Sequence, residues 1–130
     1  MKVHGKIWWN ELLTWNAESA KSFYADIMGW SYRPLELADK SIYWIAMKDG
    51  APVCGIYQMS SPVFDGTPNF WISCIAVDDI NRAVQHANSV GGRLMHGPFH
   101  SDYIGEVALV TDGGGAVVAF VQPKSDAGPA

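Results

Sequence analysis

Charge, cysteine and long apolar runs are all scarce in this 130-residue sequence. Charged residues make up only 17% of it, below the roughly 25% of ordinary soluble domains. With 48% hydrophobic residues, that composition excludes disorder as a description of the whole chain. Nine Lys and Arg against thirteen Asp and Glu leave a net charge of −4, and no basic cluster exists to neutralise phosphates. Nucleic acid is therefore excluded as an expected partner. Two cysteines, Cys54 and Cys74, are too few for a disulfide scaffold and predict reduced thiols in a cytoplasmic protein. The cationic start, Met1 to Lys6, runs into Trp8-Trp9-Asn10-Glu11 rather than the apolar stretch of a signal peptide. No run is long enough to span a membrane, so no membrane partner is expected either.

Aromatic residues and glycine are plentiful. Six Trp, five Tyr and five Phe give large rings whose burial stabilises a small chain. Thirteen Gly fit many tight connections between short elements. The length suits one structural domain.

The sequence repeats internally. An offset of 62 residues lays Trp9 on Trp71, Asn16 on Asp78 and Gly29 on Gly91, and a slip of two lays Gln58 on Gln122. Each half reads as a strand, a capped amphipathic helix ended by Gly, and three strands. In the first module, residues 1–59, the strand is Ile7–Thr14 and Asn16 caps a helix. Ala17, Ala20, Phe23, Tyr24, Ile27 and Met28 make its apolar face. Strands follow near Trp30–Pro34, Ile42–Lys48 and Val53–Met59, with Asp49-Gly50 as a hairpin turn. Residues 60–69 form a linker with two Pro and a Gly. The second module, residues 70–122, opens with Phe70–Val77; Asp78 or Asp79 caps a helix carrying Ile80, Ala83, Val84, Ala87 and Val90. Its remaining strands lie near Arg93–His96, Glu106–Thr111 and Ala116–Gln122, and the tail 123–130 is small and polar and predicted to fray. A half of this size is marginal alone, so the modules are expected to share a core. Pairing within one chain, exchange between two chains and a homodimer all stay open.

Trp9-Asn10-Glu11-Leu12-Leu13-Thr14, Ala20, Phe23-Tyr24 and Gly29-Trp30 resemble the opening module of the glyoxalase/bleomycin-resistance/extradiol-dioxygenase superfamily, the vicinal oxygen chelate proteins. Trp71, Val77-Asp78-Asp79, Gly91-Gly92, Pro98, and Asp112 with Gly115-Ala116 resemble the second module. The resemblance covers Lys6 to Pro123. It implies an α+β fold of two tandem βαβββ modules, forming a curved mixed eight-stranded sheet around a cleft. It also implies a divalent metal held by His, Gln or Glu from the first and last strand of each module. Those slots fall here at Trp9, at Trp71 or Ile72, near Gly55 and near Ala119. None of these side chains is a metal ligand, so no metal or other cofactor is expected.

Strand alternation places Trp9 and Glu11, Val53, Gly55 and Tyr57, Ile72, Cys74 and Ala76, and Val117, Ala119 and Val121 on the cleft face. Such a surface suits an apolar or aromatic small molecule, with Trp9 and Tyr57 able to stack on it and with room at Gly55 and Ala119. Glu11 is a carboxylate in mid-strand beside Trp8, Trp9, Leu12 and Leu13; desolvation raises its pKa toward the range of a general base, and it could equally accept a structural hydrogen bond. His100 and Tyr103 follow Gly97-Pro98 in a loop that could reach the cleft mouth. Cys74 has no cationic neighbour in sequence and reads as an inert thiol. The first reading is a protein that binds an apolar or aromatic small molecule without a metal. The others are a metal-independent isomerase or lyase on a carbonyl compound with Glu11 as base, a metal-dependent glyoxalase- or dioxygenase-like enzyme, and a protein-interaction module with a collapsed cleft.

Overall fold

A computed structural model describes residues 2–125. The order of elements is β1 (Ile7–Thr14), α1 (Ala17–Met28), β2 (Ser31–Glu36), β3 (Ile42–Lys48) and β4 (Ala51–Gln58), then β5 (Phe70–Ala76), α2 (Ile80–Ser89), β6 (Arg93–Ser101), β7 (Gly105–Thr111) and β8 (Val117–Pro123). This is βαβββ twice, an α+β arrangement with a mixed sheet. Hydrogen bonding links the strands in the order β2-β3-β4-β1-β5-β8-β7-β6. The pairs β1/β4 and β5/β8 are parallel, and the hairpin partners are antiparallel. Pro123 ends β8; of the tail predicted to fray, residues 126–130 lie outside the described residues.

The chain divides into two compact units, Asn10–Trp71 and Met1–Trp9 with Ile72–Ala130. In the first, Leu12 and Ile56 of the sheet pack on Ala17 of α1, with Ala20, Tyr24, Tyr32 and Trp44 around them. Asn16 caps α1 through its side chain, which accepts from the Ser19 amide. Gly29 ends the helix in the left-handed conformation that a side chain disfavours. Of the apolar face expected for α1, only Ala17 is buried; Phe23, Ile27 and Met28 are exposed. The turn Asp49-Gly50 joins β3 and β4 with both residues at positive φ, as a type I′ hairpin requires.

In the second unit, Val77, Ile80, Val84, Ala108 and Val110 form the core between α2 and the sheet. Asp79 is the helix cap, accepting from the Arg82 amide. The two caps are thus 63 residues apart, one more than the offset that superimposes Trp9 on Trp71. The third strand of this module is longer than expected. Edge strand β6 continues through Gly97-Pro98 to Ser101, with register shifts between Leu94 and His96 and between His96 and Phe99. A bulged edge strand tolerates proline, which has no amide hydrogen to donate to a ladder.

Candidate ligand site

Strand register decides which side chains share a face. In the unit Asn10–Trp71, Glu11 lies opposite Gly55, which lies opposite Ile45; Leu13 lies opposite Tyr57, which lies opposite Tyr43. Leu12, Ile56 and Trp44 occupy the alternate positions and face α1. Glu11 is therefore a carboxylate on an otherwise apolar and aromatic face, where Leu13, Tyr43 and Ile45 are buried.

A hydrogen bond from Tyr43 reaches it there. The Tyr43 hydroxyl donates to the Glu11 carboxylate, which stabilises the charged form; burial outweighs it and pushes the Glu11 pKa up to about 7. Tyr43 sits in β3 and was not among the candidates read from sequence, because nothing local to it signals that β3 lies one strand away from β1. Gly55 makes the contact possible. A Cβ at that position would lie 1.6 Å from the Tyr43 hydroxyl oxygen, so the space expected over Gly55 is filled by the tyrosine. The same burial raises the pKa of Tyr57, helped by the negative charges of Asp39 and Glu11. The Tyr57 ring meets Phe64 of the connecting segment at 5.8 Å. Cys54 is buried on the other face, and desolvation, reinforced by Glu11, pushes its thiol up to about 12. Val53 is exposed and is the extra residue where the β3/β4 register shifts, which breaks the alternation that grouped it with Gly55.

The other unit gathers a second set of candidates. Cys74 lies opposite Ala119, which lies opposite Leu109, and Ile72 precedes Cys74 by two on the same face. Ile72, Cys74 and Ala119 are all buried. The slot left between Trp71 and Ile72 therefore belongs to Ile72, while Trp71 is exposed and packs against Tyr24 and Trp30. With 63 as the offset, Cys74 is the counterpart of Glu11. Trp9 is buried, its ring centroid 6.5 Å from that of Tyr103. His100 lies in β6 rather than in a loop: Nδ1 is 2.8 Å from Glu106 and Nε2 is 2.8 Å from Asp102. These two carboxylates, Glu106 foremost, raise its pKa, and the ring is exposed.

No family model matches the chain. The curated proteins named "Putative glyoxylase CFP32" from Mycobacterium tuberculosis and Mycobacterium bovis are each 30% identical to it over 119 residues, 92% of this chain and 44% of theirs. The chain thus spans less than half the length of these relatives. Among solved structures, a hypothetical protein of Bacillus halodurans aligns with a TM-score of 0.67 at 12% identity, over 94% of this chain and 96% of that one. A glyoxalase/bleomycin resistance protein/dioxygenase superfamily member from Vibrio splendidus aligns at 0.55 and 19%, over 88% and 96%. Methylmalonyl-CoA epimerase from Mycobacterium tuberculosis aligns at 0.58 and 15%, over 89% and 86%. The chain is thus similar over nearly its whole length to part of proteins named as glyoxylases, and it shares its fold with a member of the glyoxalase/bleomycin resistance protein/dioxygenase superfamily.

A superfamily metal would need donors at Trp9, Gly55, Ile72 and Ala119. An indole nitrogen has no free lone pair, and the other three side chains carry no donor atom. Among the described residues no group of three or more His, Cys, Asp and Glu is arranged to hold a metal ion. The donor set does not fit the superfamily's ion. No helix among the described residues is long and apolar enough to cross a membrane.

Proposed function

We propose that this chain is a member of the glyoxalase/bleomycin-resistance/dioxygenase superfamily that binds an apolar or aromatic small molecule without a divalent metal, on the sheet face that carries Glu11. The observation that carries this reading is the Glu11–Tyr43 pair: a carboxyl with a pKa near 7 on a face otherwise made of aliphatic and aromatic groups. Ligand sites are mostly apolar surfaces with a few placed polar groups that fix orientation. Near neutral pH, Glu11 offers either a donor or an acceptor to a ligand, and Tyr57 offers a ring partly open to solvent. Trp9, Ile72, Cys74, Ala119 and Tyr103 form a separate set with no carboxylate, and we assign them an apolar supporting role. Nucleic acid and membranes are not partners in this reading.

Thermal-shift screening with small aromatic compounds that bear one hydrogen-bonding group tests it. A bound compound should raise the Tm, and Glu11→Gln or Tyr57→Ala should weaken it about tenfold. Binding unchanged in both variants, or no binder in such a screen, would overturn the proposal.

A second reading has its own support. A carboxyl poised near neutrality is what a general base requires, and the methylmalonyl-CoA epimerases share the fold. In a metal-independent enzyme acting on a carbonyl compound, Glu11 would take a proton. Then kcat/KM rises with pH through about 7, and Glu11→Gln abolishes turnover while leaving ligand bound.

A further inference from the structure

A cation shares the sheet face of Glu11. The register of β2 on β3 sets Arg33 opposite Ile45, and that of β3 on β4 sets Ile45 opposite Gly55, which is itself opposite Glu11. Residues directly opposite on neighbouring strands share a face, so Arg33, Ile45, Gly55 and Glu11 form one row across the sheet. The row beside it is Leu35, Tyr43, Tyr57 and Leu13. Tyr32 takes the alternate position in β2 and accordingly packs with Trp44 around the core under α1. Arg33 stands exposed on edge strand β2, while Ile45 beside it is buried. The other cations of the unit Asn10–Trp71 are placed elsewhere. Lys21 pairs with Glu18 at 2.8 Å and lies 3.1 Å over the centre of the Trp44 ring, on the helix side. Lys40 lies 3.8 Å from Glu36. The Lys48 ammonium is 2.9 Å from where a Cβ on Gly29 would be, at the end of α1.

We propose that Arg33 is the anion site of this face and that the ligand is an apolar acid: a carboxylate held by the guanidinium, with its body laid over Ile45 and Tyr43 toward Glu11. The inference deepens the reading of the Glu11 face as a ligand site and rests on it. Geometry is the first argument. A guanidinium presents parallel N–H donors that match the two oxygens of a carboxylate, and such charge-assisted pairs are about twice as strong as neutral hydrogen bonds. Charge placement is the second. Glu11 and Asp39 both act on Tyr57, so a negative ligand group is repelled from that part of the face and drawn to Arg33. Charge balance is the third. One guanidinium neutralises one carboxylate, whereas a phosphate monoester carries about −1.5 to −2 at neutral pH and would leave an excess beside the two acidic groups. Spacing then sets the size of the ligand. Strands lie about 4.8 Å apart, so the steps from Arg33 to Glu11 cover about 14 Å of backbone. Side chains stand roughly perpendicular to a sheet, and a molecule that touches both ends is longer than a single ring.

Calorimetric titration of the 130-residue chain tests the proposal, with a biphenyl carboxylate that bears a hydroxyl at its far end, its primary amide and the corresponding aryl phosphate. The acid should bind at least about tenfold more tightly than the amide, and Arg33→Gln should remove that advantage. Arg33→Lys should restore part of it, because an ammonium keeps the charge without the fork. Lys40→Gln removes an equal charge from the turn between β2 and β3 and should leave acid binding unchanged. The amide should bind the wild type and Arg33→Gln alike, which shows in the same titration that the variant is folded. An acid advantage that survives Arg33→Gln, one lost equally in Lys40→Gln, or a phosphate that binds more tightly than the acid would each overturn it. If the three compounds bind equally and Glu11→Gln weakens all of them, the anion site fails alone. If none binds, or Glu11→Gln changes nothing, the ligand face itself fails and the anion site with it.

Discussion

Glu11, Tyr43 and Gly55 depend on one another through their separate chemistries. The carboxyl is desolvated, the phenol supplies the hydrogen bond that eases its ionisation, and the absence of a Cβ at Gly55 gives the phenol its place. Removing the donor with Tyr43→Phe should move the Glu11 pKa further above about 7, because burial would then act with less opposition. A carboxyl-carbon NMR titration reads this directly, and an unchanged or lower value would show that the hydrogen bond is not what eases ionisation. Gly55→Ala acts sterically. Its methyl would lie 1.6 Å from the Tyr43 hydroxyl oxygen and 2.2 Å from the ring carbon that bears it, so the ring must leave. Overpacking of this kind costs about 1–3 kcal/mol, which a urea melt would detect, and wild-type stability in that variant would contradict the geometry. Glu11 was legible in the sequence because a carboxylate in an apolar strand is costly wherever it stands. Tyr43 was not, since its role depends on which strand lies beside which.

Among the elements, the helix starts show how the repeat works. The side-chain oxygen of Gln58, in the last strand of the first module, accepts from the Ala17 amide at 2.7 Å; that of Gln122, in the last strand of the second, accepts from the Ile80 amide at 3.0 Å. Each glutamine satisfies one of the free amides at the beginning of its helix. The match of Gln58 with Gln122 was legible in the sequence, but its purpose required the parallel pairs β1/β4 and β5/β8, which bring each last strand beside the strand that leads into the helix. Gln122→Ala should cost about 1 kcal/mol, the usual worth of one such bond. Gln58→Ala should cost more, because that amide also donates to the Trp15 carbonyl at 2.6 Å. Urea melts of the two variants check the order, and an equal or reversed cost would mean that the extra bond contributes nothing. Sequence reading fell short where tertiary context decides. Proline is a stop signal in a central strand, yet β6 runs through Pro98 because it is an edge. An apolar helical stripe reads as core, yet Phe23, Ile27 and Met28 of α1 stay exposed.

At the scale of the whole molecule, the shifted groups set how stability depends on pH. Glu11 has a folded pKa of about 7 against an ordinary 4.5. Between those values the folded chain holds a proton that the unfolded chain has released, so stability falls as pH rises through that window. At 1.36 kcal/mol per unit the loss is about 3 kcal/mol, an upper figure for a carboxyl that keeps some contact with water. His100 acts with the same sign at higher pH. Its raised folded pKa gives a contribution fully present below about 6.5 and lost as pH rises through the folded value; because the ring is exposed, salt screens it. Asp39 has the opposite sign, since hydrogen bonds from Ser41 lower its pKa, and it loses stability only at pH below 3.8. Together these windows place the stability maximum near pH 4 to 5, on the acid side of the range where most proteins are most stable. The urea midpoint of the wild-type chain should therefore fall between pH 5 and pH 8. Glu11→Gln should flatten the curve up to about 7 and exceed the wild type at pH 8, while matching it more closely at pH 5. His100→Ala should leave the Glu11 window intact and remove only the decline above it, the more so at low salt. A wild-type midpoint that rises from pH 5 to pH 7 would place Glu11 in water rather than on a desolvated face, and with it would go the case for a ligand there.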